Sequence, residues 1–274
     1  MTRHQDLGFL EFAAELSAHT GLDLQAYKSR CLRRRILVRM RACGVHTYAD
    51  YLRALDARDE ERQRLLDALT INVTRFFRNP ETWAFLADQV LPALLQERAG
   101  QLRIWSAGCA SGEEAYTVAM LVALVLERLG RPGWLSRLRV DATDIDRESL
   151  LRAEAAAYPA NAFSETDPAV RQRFAHPTPD GQWLVAAEVR AQVRVGRLDL
   201  LQDQPLSREY DLICCRNVVI YFDRPSQERL LQRFADALVP RGILVLGKVE
   251  TILGEVRRRY ELIEPRERVY RRAA

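Results

Sequence analysis

Apolar residues in the first 70 positions recur at helical spacing and nowhere alternate as a strand would require. Leu7, Leu10, Phe12, Ala13 and Leu16 form one stripe, which Gly21 ends. A second helix is predicted over 24–43, closed by Gly44, with Leu32, Ile36 and Met40 as its apolar face. A third begins near Thr47, whose hydroxyl can cap it, and carries Tyr48, Tyr51, Leu52 and Leu55. A fourth covers 59–69. The expectation for 1–70 is a small all-α domain.

The pattern changes after residue 70. Pro80 interrupts the chain and leads into a helix predicted over 81–96, so 71–100 reads as a linker plus a helix packed on the domain C-terminal to it. From 102 onward short apolar runs alternate with amphipathic helices. The strands are predicted at 102–105, 138–142, 193–198, 211–215 and 243–246. The helices are predicted at 113–129, 147–156 and 226–238, the last ended by Pro240 and Gly242. Such alternation implies right-handed βαβ units and a mostly parallel sheet in a domain over 101–274. Segments 260–263 and 268–270 read as a hairpin at the sheet edge. Between 158 and 195, Pro159, Pro168, Pro177, Pro179 and Gly181 suspend the alternation. Within that insertion, 183–185 and 189–195 are predicted to pair as short antiparallel strands.

Composition narrows the class only slightly. The 274 residues are 48% hydrophobic and 28% charged, ordinary values for a globular chain able to bury a sizeable core. A net charge of +4, from 41 basic and 37 acidic residues, gives no argument for nucleic acid. Locally the picture differs: 28–41 holds Lys28, Arg30, Arg33, Arg34, Arg35, Arg39 and Arg41 and no acid, a face suited to an acidic partner. The five cysteines show no CxxC spacing and read as reduced, buried thiols of a cytoplasmic protein. No stretch is long and apolar enough to predict a membrane span, and no metal-ligand spacing stands out.

The candidate chemistry lies at the carboxyl ends of the predicted strands, where ligands bind in open α/β sheets. Ser106-Ala-Gly-Cys-Ala-Ser-Gly-Glu-Glu114 joins the first strand to its helix. Its small residues allow close approach to the backbone. Glu113 and Glu114 at the helix start, with no Lys-Ser/Thr pair after the glycines, disfavour a phosphate and favour a cationic or hydroxyl-rich ligand. S-adenosylmethionine, with its sulfonium, ammonium and ribose hydroxyls, has that chemistry. Asp144-Ile-Asp146, Asp199-Leu200 and Arg216-Asn217 follow the next strands.

Four segments together resemble the CheR-type glutamate O-methyltransferases of bacterial chemotaxis, across nearly the whole chain. They are Asn72-Val-Thr-Arg-Phe-Phe-Arg78, Ile104-Trp-Ser-Ala-Gly-Cys-Ala-Ser-Gly-Glu-Glu-Ala-Tyr116, Ala142-Thr-Asp-Ile-Asp146 and Cys215-Arg-Asn-Val-Val-Ile-Tyr-Phe-Asp223. The resemblance implies a Rossmann-like, α/β S-adenosylmethionine-dependent methyltransferase domain with a small inserted β-subdomain, preceded by an all-α domain. It implies that Asn72, Thr74 and Arg78 lie in a segment closing over the cofactor, with Gly108 and Gly112 shaping its loop. By the same resemblance Glu114 lies near the methionine moiety, Asp144 at the ribose, Asp199 and Leu200 beside the adenine, and Arg216 and Asn217 at the methionine end. Arg78 and Tyr221 would be the catalytic residues, facing the transferred methyl group. The implied reaction converts glutamate side chains of chemoreceptors to methyl esters and leaves S-adenosylhomocysteine. The implied partner is the receptor's cytoplasmic helical domain, docked on the basic helix 28–41 and the 158–195 subdomain. Two departures are visible: Asp199 where the family often has asparagine, and Lys248-Val249 where it commonly has His-Ser. Two alternatives stay open, namely the same chemistry on a non-chemotaxis protein and a non-catalytic cofactor sensor.

Overall fold

A computed structural model describes residues 3–20, 23–69, 74–97 and 100–273. They group into two compact units, one of Met1–Asn72 with Ile220–Arg229 and the other of Val73–Val219 with Leu230–Ala274.

The first unit is helical: α1 (Arg3–Thr20), α2 (Ser29–Ala42), α3 (Tyr48–Ala57) and α4 (Asp59–Leu69). Phe12, Leu16, Leu32, Ile36, Met40, Tyr51, Leu55 and Leu65 fill its core. The Gly21 stop and the side chains of Leu7 and Leu10 fall outside the described residues. Thr47 caps α3, its Oγ1 accepting from Asp50 N at 3.1 Å. The helix predicted over 24–43 is interrupted. Leu24–Ala26 form one 3-10 turn, and Tyr27 is extended in an antiparallel bridge to Phe222. Lys28 N donates to Tyr221 O at 2.9 Å and Asp223 N to Ala26 O at 2.8 Å. These bonds to 221–223 take the backbone groups that a continuous helix would have used, which is why 220–229 belongs to this unit.

One buried carboxylate organises the packing of α2, α3 and α4. Glu61 accepts two bonds from the Arg39 guanidinium and one from Tyr51 Oη at 2.8 Å. Burial pushes the Glu61 pKa up, but the bonds from Arg39, Tyr51 and Cys43 outweigh it and hold the group below its ordinary value. Glu61 therefore contributes stability above the unfolded carboxyl pKa of about 4.3, lost as pH falls through the depressed folded value. Tyr51→Phe is expected to cost about 1.5 kcal/mol, since it removes one bond to a charged group. Urea unfolding followed by far-ultraviolet circular dichroism checks this, and an unchanged midpoint would show that the hydroxyl adds nothing.

The second unit begins with α5 (Pro80–Phe85), a π turn at Leu86–Val90 and α6 (Leu91–Glu97). The expected single helix is thus widened in the middle. Pro92 has no N–H for the Asp88 carbonyl, and Leu91 N bonds instead to Leu86 O, one residue further back. The chain continues through β1 (Leu102–Ala107), α7 (Glu113–Arg128), β2 (Leu138–Asp144), α8 (Arg147–Ala155) and β3 (Ala157–Tyr158). Next come α9 (Pro168–Phe174), β4 (Ala175–Pro177), β5 (Trp183–Val185), α10 (Ala187–Arg190), β6 (Val193–Arg197) and β7 (Tyr210–Cys215). Last are α11 (Arg224–Ala237), β8 (Leu238–Leu246), β9 (Tyr260–Glu264) and β10 (Val269–Arg272).

Among the described residues, seven strands form one sheet in the order β6-β2-β1-β7-β8-β10-β9. The first five are parallel, and β10 and β9 are the antiparallel edge hairpin. β7 is buried throughout and β1 nearly so, as strands covered on both faces must be. The strand order reverses at β1, since β2 lies on one side and β7 on the other. That switch point locates the ligand crevice beyond the carboxyl ends of β1, β2 and β7. β8 starts at Leu238 and absorbs Pro240 and Gly242 in a register shift, with Arg241 at φ 64°.

The insertion is corrected in two respects: Val189 and Arg190 belong to α10 and not to a strand, and the strand that follows has another partner. β5 pairs with β3 and β4, while Val193–Arg197 leaves it and joins the main sheet parallel to β2. The alternating valines at 193 and 195 fit a hairpin as well as an edge strand, so local pattern alone could not choose the partner.

Candidate functional site

The loop after β1 is drawn onto the end of β2. Gly108 N and Cys109 N donate to Thr143 O at 2.8 and 2.9 Å, and Ala110 N donates to Asp144 Oδ2 at 2.8 Å. Asp144 Oδ1 accepts Asp146 N at 3.0 Å, and Asp146 in turn caps α8 through Glu148 N. Burial pushes the Asp144 pKa up, and the bonds from Asp146 and Ala110 N–H oppose it. Leu198 N donates to Asp144 O at 3.0 Å, so Asp199 follows directly beside this acid. Asp199 Oδ1 closes its own turn by accepting Leu201 N at 2.8 Å, and Leu200 is buried next to it.

Both loop glycines sit at positive φ, 80° for Gly108 and 94° for Gly112. A Cβ on Gly108 would lie 2.6 Å from Val218 Cγ2, and one on Gly112 2.9 Å from Ala153 Cβ. At these two positions the absence of a side chain is demanded by the protein's own packing and by backbone conformation, and not, as the sequence reading expected, by room for a ligand.

The two acids at the start of α7 face different partners. Glu113 is buried, accepts Ser111 Oγ at 2.8 Å and bonds the Thr74 hydroxyl; burial raises its pKa. Glu114 accepts Ser106 Oγ at 2.9 Å and has Arg216 Nη1 at 3.7 Å. Burial again raises the pKa first; Arg216, Ser106 and Arg78 pull it down, while Glu250 pushes it up.

Arg216 is the hub. Its side chain is only 2% exposed, and its guanidinium lies 4.9 Å over the Trp83 ring. Its Nη2 donates to Arg78 O at 2.8 Å and to Asn79 Oδ1 at 2.9 Å. The Arg78 segment is thereby tied to the end of β7. Phe77, Asn79, Ala110 and Asn217 all adopt positive φ around these loops, a concentration of strained backbone typical of functional sites. Two buried polar atoms here have no hydrogen-bond partner within the protein: Arg216 Nε and Asn217 Oδ1.

The structure thus brings Thr74, Arg78, Gly108, Gly112, Glu114, Asp144, Asp199, Leu200, Arg216 and Asn217 to one end of one sheet. Asn72 lies outside the described residues. Tyr221 belongs to the first unit, where the Arg35 guanidinium lies 4.9 Å over its ring. Sequence reasoning missed Ser106, Asn79 and Trp83; the only signal for Asn79 was an asparagine just before a helix-starting proline.

The sequence profile of the CheR methyltransferase SAM-binding domain matches residues 72–269, and that of the CheR methyltransferase all-alpha domain matches 7–70. The chain belongs to the CheR methyltransferase family. It is 34% identical over 245 residues to the chemotaxis protein methyltransferase of Listeria innocua, covering 89% of this chain and 90% of that one. To the chemotaxis protein methyltransferase of Klebsiella aerogenes it is 35% identical over 252 residues, 89% of this chain and 83% of the other. A 104.1 kDa protein from the hypE 3′ region of Rhodobacter capsulatus is 36% identical over 257 residues, 93% of this chain but 26% of the larger protein.

The second unit is accordingly an S-adenosylmethionine-dependent methyltransferase domain. Its residues fit that cofactor: the Glu114 carboxylate and the orphaned Asn217 Oδ1 suit an ammonium, and Asp144 retains lone pairs for ribose hydroxyls. Among the described residues no group of three or more metal-ligating side chains occurs, and no helix is long and apolar enough to cross a membrane.

Proposed function

We propose that this chain methylates glutamate side chains in the cytoplasmic helices of a chemoreceptor. The buried Glu114–Arg216 pair beside the orphaned Asn217 Oδ1, at the switch point of a CheR-family sheet, carries the reading. Bound there, S-adenosylmethionine supplies an electrophilic methyl group on a sulfonium. A glutamate carboxylate is ionised at neutral pH, so the site needs no general base. In such a transfer a carboxylate oxygen lone pair would form the new C–O bond as the C–S bond broke, the C–S electron pair staying on sulfur. A neutral ester and a neutral thioether result. The protein's tasks are in-line alignment and exclusion of water. Arg78 and Tyr221 are assigned the catalytic roles, orienting carboxylate and methyl. Asn72, Thr74, Gly108, Gly112, Glu114, Asp144, Asp199, Leu200, Arg216 and Asn217 are assigned to cofactor binding, with Arg78 contributing to both.

The docking face on α2 is narrower than the sequence suggested. Arg33 packs over Phe9, Arg35 over Tyr221, and Arg39 is consumed by Glu61. Lys28, Arg30, Arg34 and Arg41 remain exposed, together with Leu37 and Val38. We assign this face, with the β3-β5-β4 subdomain, to an acidic helical partner in the cytoplasm.

Incubation with methyl-labelled S-adenosylmethionine and a receptor cytoplasmic fragment is expected to give base-labile label on glutamate. Arg78→Ala and Tyr221→Phe should each slow single-turnover transfer by about tenfold, the value of one charge-assisted contact. Label confined to other proteins, or transfer untouched by both substitutions, would refute the assignment.

A further inference from the structure

The turn after β8 holds a buried carboxylate that none of these roles uses. Gly247-Lys-Val-Glu250 closes on itself through Glu250 N donating to Gly247 O at 2.8 Å. That closure folds the Glu250 side chain back, and its Oε2 accepts both Gly247 N at 2.5 Å and Asn217 N at 2.9 Å. Glu250 is 3% exposed. The first of these bonds stays within the turn, while the second crosses from the end of β8 to the end of β7.

The fit is tight. A Cβ on Gly247 would stand 2.8 Å from both Asn217 N and Glu250 Oε2, so a side chain there would displace the carboxylate or the asparagine. The two central residues of the turn take no part. Val249 is 74% exposed, and Lys248 Nζ reaches Glu81 at 3.0 Å and Glu267 at 3.4 Å. The departure from the family's His-Ser thus leaves both working ends of the turn in place.

What Glu250 holds is conformationally demanding. Asn217 has φ 63°, in the left-handed region that few residues with a side chain enter and asparagine enters more readily than most, so the neighbouring bonds decide whether it is kept. Asn217 Oδ1 is the buried acceptor without a partner, and Arg216 immediately before it bonds Arg78 O and approaches Glu114. The direction in which this pair presents its polar atoms is set by the backbone at Asn217, and Glu250 accepts the N–H of that residue.

We infer that Glu250 is a positioning residue: by fixing the Asn217 backbone it aims Arg216 and Asn217 at the cofactor. The inference rests on the assignment of those two residues to cofactor binding. A role limited to closing the turn would affect stability alone.

Titration calorimetry of the full chain with S-adenosylhomocysteine, alongside melting temperatures, separates the two. Glu250→Ala is expected to weaken binding by about tenfold, as for leaving the buried Asn217 N–H without its acceptor. Glu250→Gln keeps a carbonyl oxygen that can accept both N–H groups and should stay within about threefold of the parent. Should Glu250→Ala fail to fold, Glu250→Asp keeps the charge but not the reach, and weakening of about threefold or more is expected. Parental affinity in folded Glu250→Ala, or in Glu250→Asp where that variant decides, overturns the proposal. Equal losses in the Gln and Ala variants also overturn it, because they place the effect in the charge. Asn217→Ala and Glu114→Gln are measured in parallel. If both bind like the parent, the site assignment itself fails; if both weaken while Glu250→Ala does not, only the role of Glu250 fails.

Discussion

Replacing Glu114 with glutamine is expected to weaken S-adenosylmethionine binding by about 10- to 100-fold, the range for a charge-assisted bond to a buried carboxylate. The amide keeps the shape and can still accept the Ser106 hydroxyl, so the loss reports the charge. The pH dependence is the sharper test. Burial holds the Glu114 pKa above its ordinary value, with Arg216 and Ser106 opposing. For an acid raised in this way, folded-state stability falls as pH climbs from the unfolded pKa through the folded one. Cofactor binding runs in the opposite sense, because an ammonium prefers the ionised carboxylate. Affinity should therefore decline as pH drops through the raised pKa, with proton release on binding in that window. Calorimetry from pH 5 to 8 in buffers of differing ionisation enthalpy measures both. A parent with flat affinity, or a Glu114→Gln variant with the same pH profile, would place the cofactor cation elsewhere.

Two acids at the mouth of α7 disfavour a phosphate on sequence alone, but only the structure separates Glu113, held by Ser111, from Glu114, which lies beside Arg216. Legibility fails where the deciding contact is distant in sequence. The continuous apolar runs of β1 and β7 announce buried parallel strands, and their order follows from the βαβ rule. The valines of β6 announce only an extended segment; its pairing with β2 rather than β5 depends on residues some fifty positions away. Tyr27 breaks a well-patterned helix because its bridge partner is Phe222. The site divides in the same way. Asp144 and Arg216 stand out as charged residues ending apolar strands. Asn79, Trp83 and Glu250 matter through the backbone groups and rings that they meet, and nothing adjacent to them in sequence names those partners.

Arg216→Met should be the most damaging single change in the second unit, costing about 3 kcal/mol or more. Methionine approximates the length of the arginine stem, so the loss is chiefly of charge and hydrogen bonds. Three consequences add up. Arg78 O and Asn79 Oδ1 lose the donor that they share, the Trp83 face loses its cation, and Glu114 is left buried without its nearest positive partner. The last dominates, since breaking one side of a buried ion pair typically costs about 3–5 kcal/mol, whereas removing both sides is far cheaper. Stability should therefore recover by about 1–2 kcal/mol when Glu114→Gln is added to Arg216→Met, an increment in contacting residues that independent sites would not show. Lowering the pH should narrow the gap between Arg216→Met and the parent, because protonation relieves the stranded carboxylate. The four tryptophans, Trp83, Trp105, Trp134 and Trp183, all lie in 73–219, so urea unfolding followed by their fluorescence reports this unit without the helical one. If Glu114→Gln costs as much in the Arg216→Met background as it does alone, the two side chains are energetically independent. The buried pair would then be a coincidence of packing.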